Sequence, residues 1–313
     1  MSAAVPPCGV WCPAVTFFNH DNDTLDLVAQ KQYNEYLSKT GLAGLVILGT
    51  NAEAFLLTRE ERYAVIAAAR EAVGPSYPLM AGVGAHSTRQ VLEFIVDATK
   101  AGANYVLVLP PAYFGKATTP AVIEKFYSDV SANSSLPIII YNFPGVCNGV
   151  DLDSELITKL AKNHSNIVGI KLTCASVGKI TRLTASLPAT EFASFGGQSD
   201  FLIGGLSVGS AGCIAAFANV FPKSISAIYK LYKEGKVDEA LKLHRIAALA
   251  ESPCKAGIAS TKYAAAIYSA KAANIEGAED KLRPRTPYQP ASENTKSHIR
   301  SVMAELAAIE SSL

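Results

Sequence analysis

Ile167-Val168-Gly169-Ile170-Lys171-Leu172 is the stretch on which the fold turns. Its apolar residues run on without alternating, as they do in a strand covered on both faces. A lysine then interrupts the run near its end. Apolar runs of the same kind recur at 10–17, 44–48, 79–83, 105–109, 138–141, 192–195 and 212–217. Amphipathic helical stretches lie between them, among them 58–73, 87–101 and 151–163. Thr58-Arg59-Glu60-Glu61 carries the residues of a capping box, and Asp151 is expected to cap the fifth helix. Gly41, Gly74 and Gly102 fall where helices should end.

Eight strand–helix units in series point to the α/β class and a closed (β/α)8 TIM barrel. An open doubly wound sheet is the rival. It would carry a glycine-rich turn after the first strand, where this chain has Phe17-Phe18-Asn19-His20-Asp21. Past the eighth unit no strand pattern returns. Helical patterns at 237–249, 257–272 and 294–313 are broken by Arg283-Pro284-Arg285-Thr286-Pro287. The expected division is a catalytic barrel over 1–235 and a C-terminal helical extension over 236–313.

The 313 residues include 49% hydrophobic ones, enough for a large core, and the formal net charge is +1. With no basic stripe or charged tail, neither nucleic acid nor a charged macromolecule is an expected partner. Six dispersed cysteines read as free thiols in a reducing compartment. No apolar run approaches the roughly 18 residues of a membrane span, and the start lacks a secretory pattern. The expected location is the cytoplasm, with a small molecule as ligand.

The active site of such a barrel lies at the C-terminal ends of its strands. The second strand ends in Gly49-Thr50-Asn51-Ala52-Glu53, whose N–H groups can cradle a carboxylate or simply make a turn. The fifth ends in Tyr141-Asn142-Phe143-Pro144, where the phenol is an acid–base group or a packed aromatic. Lys171 ends the sixth. Burial among apolar neighbours favours the neutral amine needed to attack a carbonyl, whereas a lysine at a strand end can also reach water. Tyr113, after Pro110-Pro111, is a lid or a packing residue. The five histidines are scattered, so no metal is expected, and chemistry through a covalent imine on Lys171 would need no other cofactor. Gly196-Gly197 and Gly209-x-x-Gly212 sit where barrels often bind phosphate, which leaves a phosphosugar enzyme as one alternative.

Taken together and in this order, Gly49-Thr50-Asn51-Ala52-Glu53, Tyr141-Asn142-Phe143-Pro144 and Gly169-Ile170-Lys171 resemble the dihydrodipicolinate synthase and N-acetylneuraminate lyase family of pyruvate-dependent class I aldolases. The resemblance runs from about residue 10 to at least 287. It implies that Lys171 forms an imine with a 2-oxo acid such as pyruvate and that Tyr141 moves protons. It also implies a hydroxyl relay through Thr50 and a Tyr113 reaching over from a neighbouring subunit. The main chain at Thr50 and Asn51 would hold the substrate carboxylate, and the carbonyl of Ile214 would face the site. The implied assembly is a homotetramer, a dimer of dimers.

The departures from the family pattern bear on the substrate. The dihydrodipicolinate synthases have an arginine two residues after the Tyr-Asn-Phe-Pro motif. Here Val146 stands there, and no arginine occurs between Arg89 and Arg182. Arginine is the natural two-pronged clamp for a second carboxylate. A polyhydroxy aldehyde needs none, and Asn148, Thr173, Gln198 and Ser199 offer hydrogen bonds to hydroxyls. The expectation is therefore an aldolase for a 2-keto-3-deoxy sugar acid. The whole chain is similar to the fungal aldolases of galacturonate breakdown, which implies cleavage of L-threo-3-deoxy-hexulosonate to pyruvate and L-glyceraldehyde. The alternatives are a 4-hydroxy-2-oxoglutarate aldolase, a synthase-like condensation, and a non-catalytic relative.

Overall fold

A computed structural model of the chain describes residues 4–313. Eight parallel strands close into a barrel in chain order: Gly9–Pro13, Gly44–Ile47, Leu79–Gly82, Tyr105–Val108, Ile138–Asn142, Ile167–Leu172, Ala193–Gly196 and Gly212–Ile214. The (β/α)8 expectation holds. Each strand is buried along its whole length, which accounts for the unbroken apolar runs. One side of each strand packs inward. Trp11, Val46, Met80, Leu107, Ile139, Val168, Phe195 and Ile214 fill the barrel, as in a packed core rather than a pore. The other side packs against the ring of helices.

The helices begin and end for local reasons. Thr58 and Glu61 form the capping box in both directions, opening the helix Arg59–Val73, and Gly74 at φ 77° closes it. The cap of the fifth helix is a correction. Asp153, not Asp151, accepts from the Leu156 N–H, and the helix runs Ser154–Asn163. Asp151 instead accepts from Lys179 and from Asn142.

Two strands stop several residues earlier than the apolar runs suggest. The first ends at Pro13 and the eighth at Ile214, because the buried Asn219 side chain takes over the ladder. It donates to Pro13 O at 2.9 Å and accepts from the Val15 N–H at 3.0 Å. A two-stranded hairpin, Phe18–Asn19 with Thr24–Leu25, follows the first strand and was not expected. Beyond the barrel come helices Val237–Glu251, Ile258–Ala265, Ala278–Lys281 and Glu293–Ser312. Buried side chains from the first two reach back to the barrel mouth.

Candidate active site

Lys171 and Tyr141 are paired residues on adjacent strands, and Phe195 pairs with Lys171 from the other side. Gly169 makes this close packing possible, since a Cβ there would collide with the Ala193 carbonyl. Lys171 is 2% exposed, and its Nζ lies 4.3 Å from the centre of the Tyr141 ring. Three lysines are buried among the described residues. Lys179 has Asp151 at 2.6 Å and Lys262 has Glu53 at 2.6 Å. Lys171 alone of the three has no carboxylate partner. A buried amine is normally paired, and an unpaired one next to a tyrosine is a candidate nucleophile.

The Tyr141 hydroxyl and Thr50 Oγ1 are 3.3 Å apart, so the second and fifth strand ends meet. Thr50 opens the short turn Thr50–Ala52, where the first N–H groups have no acceptor within the turn. Asn51 follows it, half-buried. Thr50 also lines two cavities. One, about 20 Å³, is shared with Tyr141 and Arg62. The other, about 350 Å³, is shared with Glu53, Phe55, Val146, Ile258 and Tyr288 and contains no lysine or arginine.

The remaining expected residues divide. Thr173 continues the strand of Lys171, and its buried Oγ1 has no protein partner. Ile214 ends the eighth strand with its side chain inside the barrel. Gln198 is half-buried on the loop after the seventh strand. Asn148 is exposed and donates to the Ala112 carbonyl at 3.4 Å. Ser199 is 1% exposed and donates its hydroxyl to Glu251 at 2.5 Å, which leaves its oxygen only as an acceptor. Tyr113 is 74% exposed, with its ring tilted against His86 and edge-on to Phe114, and it makes no hydrogen bond to Thr50 or Tyr141 of its own chain. The glycines read as a phosphate signal serve packing. A Cβ at Gly196 would meet the Phe201 ring, one at Gly197 would meet Thr173, and one at Gly212 would meet the backbone of Gly9.

Sequence reasoning missed three buried charges that frame the mouth: Glu53, Lys262 and Glu251. Glu251 extends the inward stripe Ala240, His244, Ala247 of its helix, and that spacing was the available signal. Its carboxylate accepts from the Ser199 N–H at 3.3 Å and from the Ser199 hydroxyl. Burial pushes the Glu251 carboxyl up to about 7, and the neighbouring Asp200 adds to the rise. A carboxyl raised in the folded state stabilises the fold most below its ordinary value, and that contribution is lost as pH rises through about 7. The shift corresponds to roughly 3 kcal/mol. Glu251→Gln is therefore expected to gain stability relative to the unsubstituted protein between pH 5 and pH 8. Urea melts at the two pH values test this, and a pH-independent difference would refute it.

No group of three or more His, Cys, Asp or Glu able to hold a metal ion occurs among the described residues. All six cysteines are free. No helix among the described residues is long and apolar enough to cross a membrane.

Residues 6–306 match the Dihydrodipicolinate synthetase family. A protein of Coccidioides immitis (strain RS), provisionally named a mitochondrial 4-hydroxy-2-oxoglutarate aldolase, is 72% identical over the full length of both chains. Its mitochondrial label does not agree with the cytoplasmic location expected from composition. An L-threo-3-deoxy-hexylosonate aldolase of Hypocrea jecorina is 39% identical, covering 84% of this chain and 87% of its own. Among solved structures, a dihydrodipicolinate synthase family protein from Coccidioides immitis superposes with a TM-score of 0.95 at 70% identity, covering 100% of both chains. A prophage protein of Escherichia coli K12 from the same family, in complex with pyruvate, gives 0.85 at 27% identity over 96% of this chain and 98% of its own.

Proposed function

Because the chain belongs to the dihydrodipicolinate synthetase family, we propose that it is a Schiff-base aldolase that cleaves a 2-keto-3-deoxy sugar acid to pyruvate and an aldehyde. The observation that carries the reading is Lys171, buried against Tyr141 with no carboxylate partner. Its amine adds to the C2 carbonyl of the 2-oxo acid, and loss of water leaves a protonated imine. Tyr141 removes the proton of the C4 hydroxyl as the C3–C4 bond breaks. The bonding electrons pass into the imine, the aldehyde departs, and an enamine remains on Lys171. Protonation at C3 and hydrolysis then release pyruvate and free the lysine. Each step needs only side chains and water, so no cofactor is invoked.

In this reading the N–H groups of Thr50 and Asn51 receive the C1 carboxylate, and Thr50 relays protons with Tyr141. Thr173, with its unpartnered hydroxyl, and Gln198 receive hydroxyls of the sugar chain. The family likeness further suggests a homotetramer. The exposed cluster of Phe55, Tyr113 and Phe114 is suited to an interface through which Tyr113 completes a neighbour's site.

The aldehyde half is where two readings compete. The cavity beside Thr50 is lined by Val146, Ile258 and Tyr288 and offers no cation, which suits a neutral aldehyde. L-threo-3-deoxy-hexulosonate, split to pyruvate and L-glyceraldehyde in galacturonate breakdown, fits this description and the Hypocrea jecorina relative. The 72% identical Coccidioides immitis protein favours 4-hydroxy-2-oxoglutarate. A cleavage panel with pyruvate release as readout separates them. L-threo-3-deoxy-hexulosonate is expected to give kcat/KM at least about tenfold above that for 4-hydroxy-2-oxoglutarate, since a second carboxylate would lie there unpaired. The reverse order would assign the second substrate.

A further inference from the structure

We infer that Glu53 and Lys262 are positioning residues for the substrate carboxylate: the C-terminal helices, through this buried pair, fix the turn Thr50–Ala52. The inference rests on the reading that this turn receives the carboxylate.

The turn is not relaxed. Leu48 precedes it at φ 63° and Glu53 follows it at φ 56°. Non-glycine residues hold the left-handed region only where their surroundings over-determine it. Several contacts supply that constraint. Gly82 leaves room for the Leu48 carbonyl, which a Cβ would overlap. Thr16 donates its hydroxyl to the Ala52 carbonyl at 2.7 Å. Arg62 donates to the carbonyls of Ala54 and Gly82, each at 2.9 Å.

The strongest tie comes from 209 residues along the chain. Lys262, on the helix Ile258–Ala265, donates to one oxygen of Glu53 at 2.6 Å. The Arg285 N–H donates to the other at 2.8 Å. Side-chain exposure is 0% for Lys262 and 4% for Glu53, so water does not screen the pair. Lys262 is fixed in turn by the Arg283 carbonyl at 3.1 Å and the Phe18 ring at 4.5 Å.

Glu53 stands two residues after Asn51, so a shift of its backbone re-aims the N–H groups meant for the carboxylate. Removing Lys262 also leaves a buried negative group beside the site where the substrate's own negative group should bind. Both effects weaken carboxylate binding. Neither touches the amine of Lys171.

Borohydride trapping separates the two. Pyruvate and acetone both form an imine with a free amine, and only pyruvate carries a carboxylate. In Lys262→Met the pyruvate concentration for half-maximal labelling of Lys171 is expected to rise about tenfold or more. The rate of acetone labelling should stay within about twofold. Equal change for both ketones, or no change for either, overturns the inference. If Lys262→Met does not fold, Glu53→Gln decides by the same criterion, with a rise of about threefold expected for pyruvate alone. The unsubstituted protein checks the underlying reading separately. If it labels no better with pyruvate than with acetone, the turn does not hold a carboxylate at all.

Discussion

Lys171→Ala is expected to lose cleavage activity by at least about 10⁴-fold and to lose borohydride trapping with pyruvate completely. The size follows from the role. Without the amine there is no imine, and without the imine the electrons of the breaking bond have no acceptor. Thr50 and Tyr141 would remain in place but would act on a covalent state that cannot form. The protein should still fold. Lys171 pairs with no carboxylate, so its removal strands no buried charge, unlike removal of Lys179 or Lys262. Removing a buried amine that lacks a partner relieves a desolvation cost, which offsets the small cavity left behind. A thermal melt near that of the unsubstituted protein, with activity gone, is the expected pair of results. Turnover in the folded variant near the original rate would remove Lys171 from the mechanism.

The barrel was legible because burial on both strand faces leaves a direct trace in the sequence. Ile138-Ile139-Ile140 and Ile167-Val168-Gly169-Ile170 can hardly be surface strands. Strand ends were less legible. The run 212–217 continues apolar beyond Ile214, yet the chain leaves the sheet there and forms the turn Ala216–Asn219. A buried turn and a buried strand can have the same composition, and here one asparagine decides between them.

The site divides in the same way. Lys171, Tyr141 and Thr50 lie on strand ends, whose positions the barrel dictates, and the structure brings Thr50 to Tyr141 and Lys171 to the Tyr141 ring. Gln198 and Ser199 are adjacent on a loop, where no periodicity says which side chain faces the site. Ser199 turned inward because Glu251, 52 residues later, supplies an acceptor. Glu53 and Lys262 are hidden more deeply still. Each is a charged residue in an apolar setting, and that marks it as paired, but nothing in the spacing identifies the partner.

Tyr141→Phe is the sharper test of mechanism, since it removes one oxygen atom and little else. The ring would still face Lys171 at 4.3 Å, so the apolar wall around the amine persists. What disappears is the hydroxyl that meets Thr50 Oγ1 at 3.3 Å. Loss of a positioned acid–base group commonly lowers rates by about 10²–10⁴-fold, and cleavage should fall within that range. Imine formation depends first on the amine and on the carbonyl held beside it. Trapping with pyruvate should therefore persist, slowed by less than about tenfold, because water can carry protons for that step. The two measurements on one variant thus diverge. Parallel loss of both would mean that Tyr141 chiefly positions Lys171. Unchanged cleavage would show that the C4 hydroxyl proton leaves by another route, with Thr50 and the small cavity it shares with Arg62 as the next place to look.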